Sequence, residues 1–122
     1  MKHEAPIQRA IVAYLRAVLP AGAVVHHCAN EGVRGGSRGR LDQAIRQGLG
    51  TVAGFPDLIV AVPGRVAFIE VKAPAGRVSP AQRAMHETLA AMGHPVAVVR
   101  SIKDTRAALR AWGVDTREKE TA

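Results

Sequence analysis

Two apolar runs on either side of a Pro-Gly pair constrain the fold more than any other feature of the chain. The first run, 57–62, reads Asp-Leu-Ile-Val-Ala-Val, and the second, 65–72, reads Arg-Val-Ala-Phe-Ile-Glu-Val-Lys. Short β-branched runs that flank Pro63-Gly64 predict two antiparallel strands joined by a tight turn. Both strands are apolar on both faces, so we expect them in the middle of a sheet that is covered on each side.

The register of this hairpin decides which polar side chains meet. A turn centred on Pro63-Gly64 places Asp57 directly opposite Glu70, and a symmetrically longer turn leaves this pairing unchanged. Directly opposite residues point to the same face of the sheet, and Lys72 points there too because side chains alternate along a strand. Ionisable groups inside apolar strands are costly to desolvate, so we expect this cluster to have partners, a metal or a function.

The rest of the chain alternates helices and strands. The predicted elements are a helix that ends at Pro20, a strand over 23–28, a short helix over 41–47, the hairpin, a helix over 80–92, a strand over 95–99 and a helix that ends near Gly113. Ser79 with Gln82, and Ser101 with Asp104, have the spacing of helix capping boxes. The order predicts an α/β fold with a mixed central sheet flanked by helices. We expect a single domain over 1–122, with a flexible loop at about 30–40 and a polar tail at 114–122.

Composition narrows the class of partner. The 122 residues carry a formal net charge of +7, which points to a polyanion, although many basic domains bind none. The aromatic content of 3% argues against a protein that binds single strands by stacking on their bases. The single cysteine, Cys28, cannot form an intrachain disulfide, and no window approaches the roughly 18 apolar residues of a membrane span. We therefore expect a cytoplasmic protein that binds neither a membrane nor a small-molecule substrate.

The cluster at the hairpin has the parts of phosphodiester hydrolysis. Two carboxylates with nearby main-chain carbonyls form a hard oxygen site suited to Mg²⁺ or Mn²⁺, and a lysine beside it can orient an attacking water. Taken alone, the Glu-x-Lys pattern arises by chance in about one chain in three. Pro56-Asp57 at a strand start, together with Gln82 on the next helix, lowers the chance of coincidence to about one in a hundred. The combination favours catalysis over a surface ion pair.

These residues resemble a known family. Gly54-Phe55-Pro56-Asp57-Leu58, Glu70-Val71-Lys72 and Ser79-Pro80-Ala81-Gln82 look like the VRR-Nuc (virus-type replication-repair nuclease) domain of the PD-(D/E)XK nucleases. The resemblance implies a restriction-endonuclease-like αβββαβ core and an Mg²⁺-dependent endodeoxyribonuclease, with Mn²⁺ able to substitute. It implies that the metal ligands are Glu4, Asp57, Glu70 and the main-chain carbonyl of Val71. In the same comparison Lys72 positions the water and Gln82 supports the site. For Glu4, an ordinary acidic residue in a first helical turn is an equally good interpretation.

The resemblance also implies a substrate and an assembly. Stand-alone family members act as homodimers on branched DNA such as Holliday junctions, and a chain of this size cannot bracket a junction alone. Basic residues predicted to contact phosphates are Arg34, Arg38, Arg40, Arg77 and Arg100. Residues that could form an apolar dimer patch, or equally belong to the core, are Met85, Leu89 and Trp112. His86 and His94 are predicted to be surface residues. The alternative function is a non-catalytic DNA-binding or assembly module on a nuclease fold.

Overall fold

The computed structural model describes residues 4–28, 44–45 and 47–118. The predicted loop at 30–40 lies outside the described residues, as does most of the predicted short helix at 41–47, of which 44–45 and 47 are described and helical. The long elements are α1 (Glu4–Val18), β1 (Val24–His27), β2 (Leu58–Val62), β3 (Arg65–Val71), α2 (Pro80–Ala91), β4 (Val96–Val99) and α3 (Ile102–Ala111). This order confirms the αβββαβ core. None of the helices described is long and apolar enough to cross a membrane.

The four strands form one mixed sheet in the order β1-β2-β3-β4. The first two pairings are antiparallel and the last, between β3 and β4, is parallel. In the hairpin Val62 pairs with Arg65 and Leu58 pairs with Ile69, so the predicted register is confirmed. Gly64 makes the turn possible because its φ of +73° is strained for any residue with a Cβ. One step beyond the last pair, Asp57 comes opposite Glu70.

One face of the sheet carries the core. Along α1, Ile11, Leu15 and Val18 recur at helical spacing and face this side, and Leu109 of α3 joins them. The sheet residues in this cluster are Leu58, Val60, Ile69, Val71 and Val99. Alternation along the strands therefore sends Asp57 and Glu70 to the opposite face, away from α1 and α3. Burial of the core fixes the register, since a slip of one residue would move the carboxylates into it.

In the ranges that the structure describes, the opposite face is covered at one end only, so the prediction of a sheet covered on both sides is not met there. α2 lies over the end that holds Glu70, whereas Val24, Ala61 and Val66 form a row across β1, β2 and β3 at the other end. Val24 is 56% exposed and Val66 is 38% exposed. We call Val24, Ala61 and Val66 the open row. Apolar residues run along the whole length of β2 and β3. The sequence of the strands therefore could not show how much of this face α2 covers.

Two of the three residues suggested for a dimer patch belong to the interior. Leu89 is the buried residue of α2, and Trp112 packs against the core cluster. Met85 is half-buried. The helical spacing that placed Leu89 on the apolar face of α2 was correct, but this face packs inward. The structure therefore moves the candidate for an apolar association surface from these residues to the open row.

The described part of the predicted polar tail is attached to the domain. The Arg106 guanidinium donates to both carboxylate oxygens of Glu118 at 2.9–3.2 Å, and the Tyr14 hydroxyl donates to Glu118 at 2.8 Å. Arg117 donates from its main chain to Val18 and from its side chain to Leu19. Charged residues late in a sequence look like a solvated tail, but here Arg117 and Glu118 bond to α1, about 100 residues earlier, and Glu118 also bonds to Arg106. Residues 114–118 therefore close the C-terminal end of α1.

Candidate active site

Asp57 and Glu70 meet where β2 begins and β3 approaches its end. The main-chain carbonyl of Asp57 accepts a hydrogen bond from the Cys28 amide at 2.7 Å, which continues the pairing of β1 with β2. Its side-chain Oδ2 accepts from the Val71 amide at 2.8 Å, next to Glu70. The main chain and the side chain of Asp57 are thus each held by a hydrogen bond from a neighbouring part of the sheet. The hairpin geometry that predicted the pairing of Asp57 with Glu70 also fixes the orientation of the Asp57 carboxylate.

Glu70 is the most strongly perturbed acid that the structure describes. It is only 1% exposed. The pKa of Glu70 is raised to about 9, chiefly by burial and further by its hydrogen bond to Asp57 and the negative charge there. The charge of Lys72 partly offsets this rise in pKa, and Glu4 adds to it. Two neighbouring carboxylates, of which Glu70 is buried, favour sharing a proton, or a cation in its place.

Helix α2 supplies two hydrogen-bonding partners to Glu70. Ser79 and Gln82 form the predicted capping box, in which the Gln82 side-chain oxygen accepts from the Ser79 amide at 2.9 Å. The other end of the same amide, Nε2, donates to Glu70 Oε2 at 3.2 Å. One turn later His86 Nε2 lies 3.3 Å from Glu70 Oε1. The cap therefore holds Gln82 in the orientation that reaches Glu70.

His86 is the residue of this site that sequence reasoning missed. It was predicted to be a surface residue, but its side chain is only 13% exposed. Burial lowers the pKa of His86, and the nearby positive charge of Lys72 lowers it further. The available signal was its spacing of four residues from Gln82, which places both on one face of a helix. This spacing indicates a role for His86 only once it is known which face of α2 packs against the sheet.

Gly54 joins the segment before Asp57 to the first turn of α2. Its φ is +77°, and a Cβ added there would lie 2.6 Å from the carbonyl carbon of Ala81 and 2.9 Å from the amide nitrogen of Gln82. The two backbones are therefore in direct contact. The neighbouring Phe55 ring packs edge-on against Phe68 of β3 with centroids 5.4 Å apart. The Gly-Phe pair of the sequence motif thus sets the distance between Asp57 and α2.

Glu4 and Arg100 both contact the loop that follows Lys72. A Cβ at Gly76 would lie 3.5 Å from Glu4 Oε2, so the carboxylate at the start of α1 lies beside this loop. Arg100 Nη1 donates to the main-chain carbonyls of Ala73 at 2.8 Å and Gly76 at 2.9 Å. Lys72 itself is held at its amide by a hydrogen bond to the carbonyl of Val99. Arg100 therefore fixes the chain immediately after the lysine, whatever its other contacts.

The predicted phosphate-contacting arginines fall into two groups. Arg34, Arg38 and Arg40 lie outside the described residues. Arg77 is exposed on the loop after Lys72, at the same end of the sheet as the carboxylates. Arg100 is half-buried, with one guanidinium nitrogen on main-chain carbonyls as described above. Among the described residues of the set, Arg77 is the one whose side chain is most open to an approaching phosphate.

The donor set fits a hard divalent cation. Asp57 and Glu70 offer carboxylate oxygens from adjacent strands, and a cation between them would allow both to stay ionised. No three His, Cys, Asp or Glu side chains in the described ranges converge into a complete cage. Mg²⁺ needs only one or two carboxylates because it keeps several waters and takes further oxygens from phosphates. The arrangement therefore suits a cation held jointly by protein, water and substrate.

Comparison with known proteins agrees with this geometry. A family model described as the VRR-NUC domain matches residues 21–103, which is more than half of the chain. The chain belongs to the VRR-NUC domain family. A curated relative, "Putative nuclease p44" of Acyrthosiphon pisum secondary endosymbiont phage 1, is 45% identical over 49 residues. This match covers 39% of the chain and 53% of the relative, so the chain spans about half the length of the curated relative it matches.

Two solved structures have the same fold as this VRR-NUC chain. One, titled "VRR_NUC domain protein", has a TM-score of 0.69 at 22% identity, and the match covers 89% of this chain and 86% of that one. The other, titled "VRR_NUC domain", has a TM-score of 0.60 at 26% identity and covers 89% and 96% of the two chains. The first likeness shows the fold alone. The family match therefore rests on the sequence model, and the word nuclease in the phage relative's name describes that protein.

Proposed function

We propose that this VRR-NUC chain is a metal-dependent DNA endonuclease whose reaction takes place at Asp57, Glu70 and Lys72. The observation that carries the proposal is a pair of carboxylates on adjacent strands, the buried Glu70 and the half-buried Asp57, held by the Val71 amide on one side and by Gln82 on the other. Buried like charges are unfavourable unless they serve a purpose, and cation binding gives them one. The formal charge of +7 supplies attraction for the phosphate backbone of DNA.

Each residue has a role that follows from its position. Asp57 and Glu70 would hold Mg²⁺, or Mn²⁺ in its place, with Glu4 and the Val71 carbonyl as further ligands; the bound cation would offset the charge that develops on the phosphate. Lys72 lies on the same face, where its ammonium group can donate a hydrogen bond to a water molecule and orient it toward phosphorus. Gln82 supports Glu70, and Arg77 on the adjoining loop attracts the phosphates.

A cleavage assay tests metal dependence directly. We expect the protein to nick or cut a labelled duplex in Mg²⁺ or Mn²⁺ and to lose this activity in EDTA. The physical reason is that two clustered carboxylates repel a phosphate unless a cation lies between them. Four-way junction, flap, nicked and linear substrates should be compared at one salt concentration, because affinity for DNA varies steeply with salt.

The substrates also separate the proposal from its alternatives. We propose selectivity for branched DNA such as Holliday junctions, so the junction should be cut faster than the linear duplex. Equal rates on all four substrates would contradict branch selectivity and leave the endonuclease proposal intact. Cleavage that continues in EDTA would refute the metal mechanism. DNA binding without cleavage in any divalent cation would favour a non-catalytic binding module.

We further propose that the protein acts as a homodimer that associates through the open row. Symmetric cleavage of two strands needs two sites related by a twofold axis, and one chain supplies one site. The open row offers exposed apolar surface on the same face of the sheet as the carboxylates. Apolar side chains clustered on an exposed sheet face are typical of association surfaces.

Light scattering at micromolar concentration tests the assembly. We expect a mass about twice the 12.9 kDa of one chain, and a mass near 12.9 kDa for the double variant Val24→Glu/Val66→Glu, because burying two carboxylates in an apolar interface is unfavourable. Leu49→Glu is the matched control, since Leu49 is 83% exposed and lies outside the open row. A wild-type mass of one chain, with junction cleavage retained, would contradict the homodimer.

A further inference from the structure

His86 is a titratable side chain of the site to which neither the motif nor the proposed reaction assigns a role. It lies one helical turn after Gln82, and both side chains reach the same carboxylate. Gln82 contacts Oε2 at 3.2 Å and His86 contacts Oε1 at 3.3 Å, so each oxygen of Glu70 has its own partner on α2. The contact between His86 and Glu70 is shielded from water, with side-chain exposures of 13% and 2%.

Two separate partners fix a carboxylate more completely than one. A single hydrogen bond to Oε2 leaves the group free to rotate about that contact, whereas a second bond to Oε1 fixes the plane of the carboxylate. The ionised form of Glu70 needs this restraint, because the negative charges of Asp57 and Glu4 repel it. Groups that hydrogen-bond a metal-ligating side chain orient it, and their loss typically weakens metal affinity by about 10- to 100-fold.

We propose that His86 is a positioning residue which, together with Gln82, clamps the Glu70 carboxylate in the plane that lets it share a divalent cation with Asp57. The proposal rests on the proposed function, since it concerns the same site. In this role the Nε2 atom of His86 carries the proton and donates to Oε1 of Glu70. The other ring nitrogen, Nδ1, takes no part in this contact. The chemistry does not require His86 to touch the substrate or to transfer a proton.

Two variants separate the hydrogen bond from packing. His86→Gln keeps an N–H donor at a similar reach, and His86→Leu removes the donor while filling a similar volume. We expect His86→Leu to weaken Mn²⁺ and Mg²⁺ binding by about 10- to 100-fold in calorimetry on the full chain without DNA. We expect His86→Gln to stay within about 3-fold of wild type, because the restraint on Glu70 is retained. Cleavage should follow the same order in kcat, with KM for DNA unchanged.

A metal-free readout keeps the clamp testable if the proposed function fails. The carboxyl ¹³C resonance of Glu70 reports its hydrogen bonding, so it should move in His86→Leu and stay in place in His86→Gln. His26→Leu is the matched control, since His26 is an exposed histidine on β1. It should leave both metal affinity and the Glu70 resonance unchanged.

The outcomes are distinct. If wild type binds neither cation and cuts no DNA in either of them, while the Glu70 resonance behaves as expected, the proposed function falls and the hydrogen-bonded clamp on Glu70 stands. If His86→Leu binds both cations like wild type and leaves the resonance in place, His86 is only a packing residue and the clamp is refuted. If both variants lose Mn²⁺ binding equally and keep Mg²⁺ binding, the imidazole itself is a metal ligand, which also overturns the positioning role.

Discussion

Asp57→Asn and Glu70→Gln proteins are expected to cut DNA at least about 10³-fold more slowly than wild type while still binding it. Loss of a carboxylate that holds the cation removes several kcal/mol of charge stabilisation from the transition state. Affinity comes mainly from basic side chains on phosphates, and each substitution removes a negative charge from a protein that already carries +7. Single-turnover cleavage and DNA binding by fluorescence anisotropy, at one salt concentration, measure the two effects separately. Lys72→Ala should also lose most of the rate.

Glu87→Gln provides the matched control for these variants. Glu87 is exposed on α2, one residue after His86, and the substitution makes the same change of charge outside the carboxylate pair. Its cleavage rate should equal that of wild type. An Asp57→Asn protein that cut at near wild-type speed would show that the pair is not the reaction centre. Parallel loss of binding and cleavage would indicate a misfolded variant, which circular dichroism would reveal.

The hairpin shows why the centre of the site could be predicted from sequence. A two-residue turn at Pro63-Gly64 allows one register, and that register alone brings Asp57 opposite Glu70. The start of α2 was equally predictable, because Ser79 and Gln82 interact over three residues and need no tertiary information. Local chemistry thus determined two parts of the site, the carboxylate pair and the glutamine that supports it.

The other contacts could not be predicted because they join segments that are distant in sequence. His86 became a site residue only when α2 turned one particular face toward β3. Arg100 was predicted to contact phosphate, but the carbonyls that accept from it lie 24–27 residues earlier, in a loop without regular structure. Glu118 likewise meets Tyr14 across 104 residues. Tertiary packing decides which of several possible partners a polar side chain contacts. A single sequence does not show that packing.

Gly54→Ala is expected to lower the free energy of unfolding by about 2–5 kcal/mol and to reduce cleavage as well. A left-handed backbone costs a residue with a Cβ about 1–2 kcal/mol, and overpacking a tight contact adds about 1–3 kcal/mol. The contact here is with the backbone of Ala81 and Gln82, which cannot turn aside as a flexible side chain would. Relief of the clash must move α2 away from Asp57, so Gln82 and His86 would lose their distances to Glu70. Chemical denaturation and single-turnover cleavage measure the two consequences.

Gly64→Ala separates the two contributions to the Gly54 effect. Gly64 has nearly the same φ, +73° against +77°, but a Cβ there would meet nothing within 4 Å. Its variant should therefore show only the conformational cost of about 1–2 kcal/mol and cut DNA at the wild-type rate once folded. The difference between the two variants isolates the contact between Gly54 and α2. Equal losses of stability and equal cleavage rates in the two proteins would mean that this contact does not set the distance between Asp57 and the helix that supports Glu70.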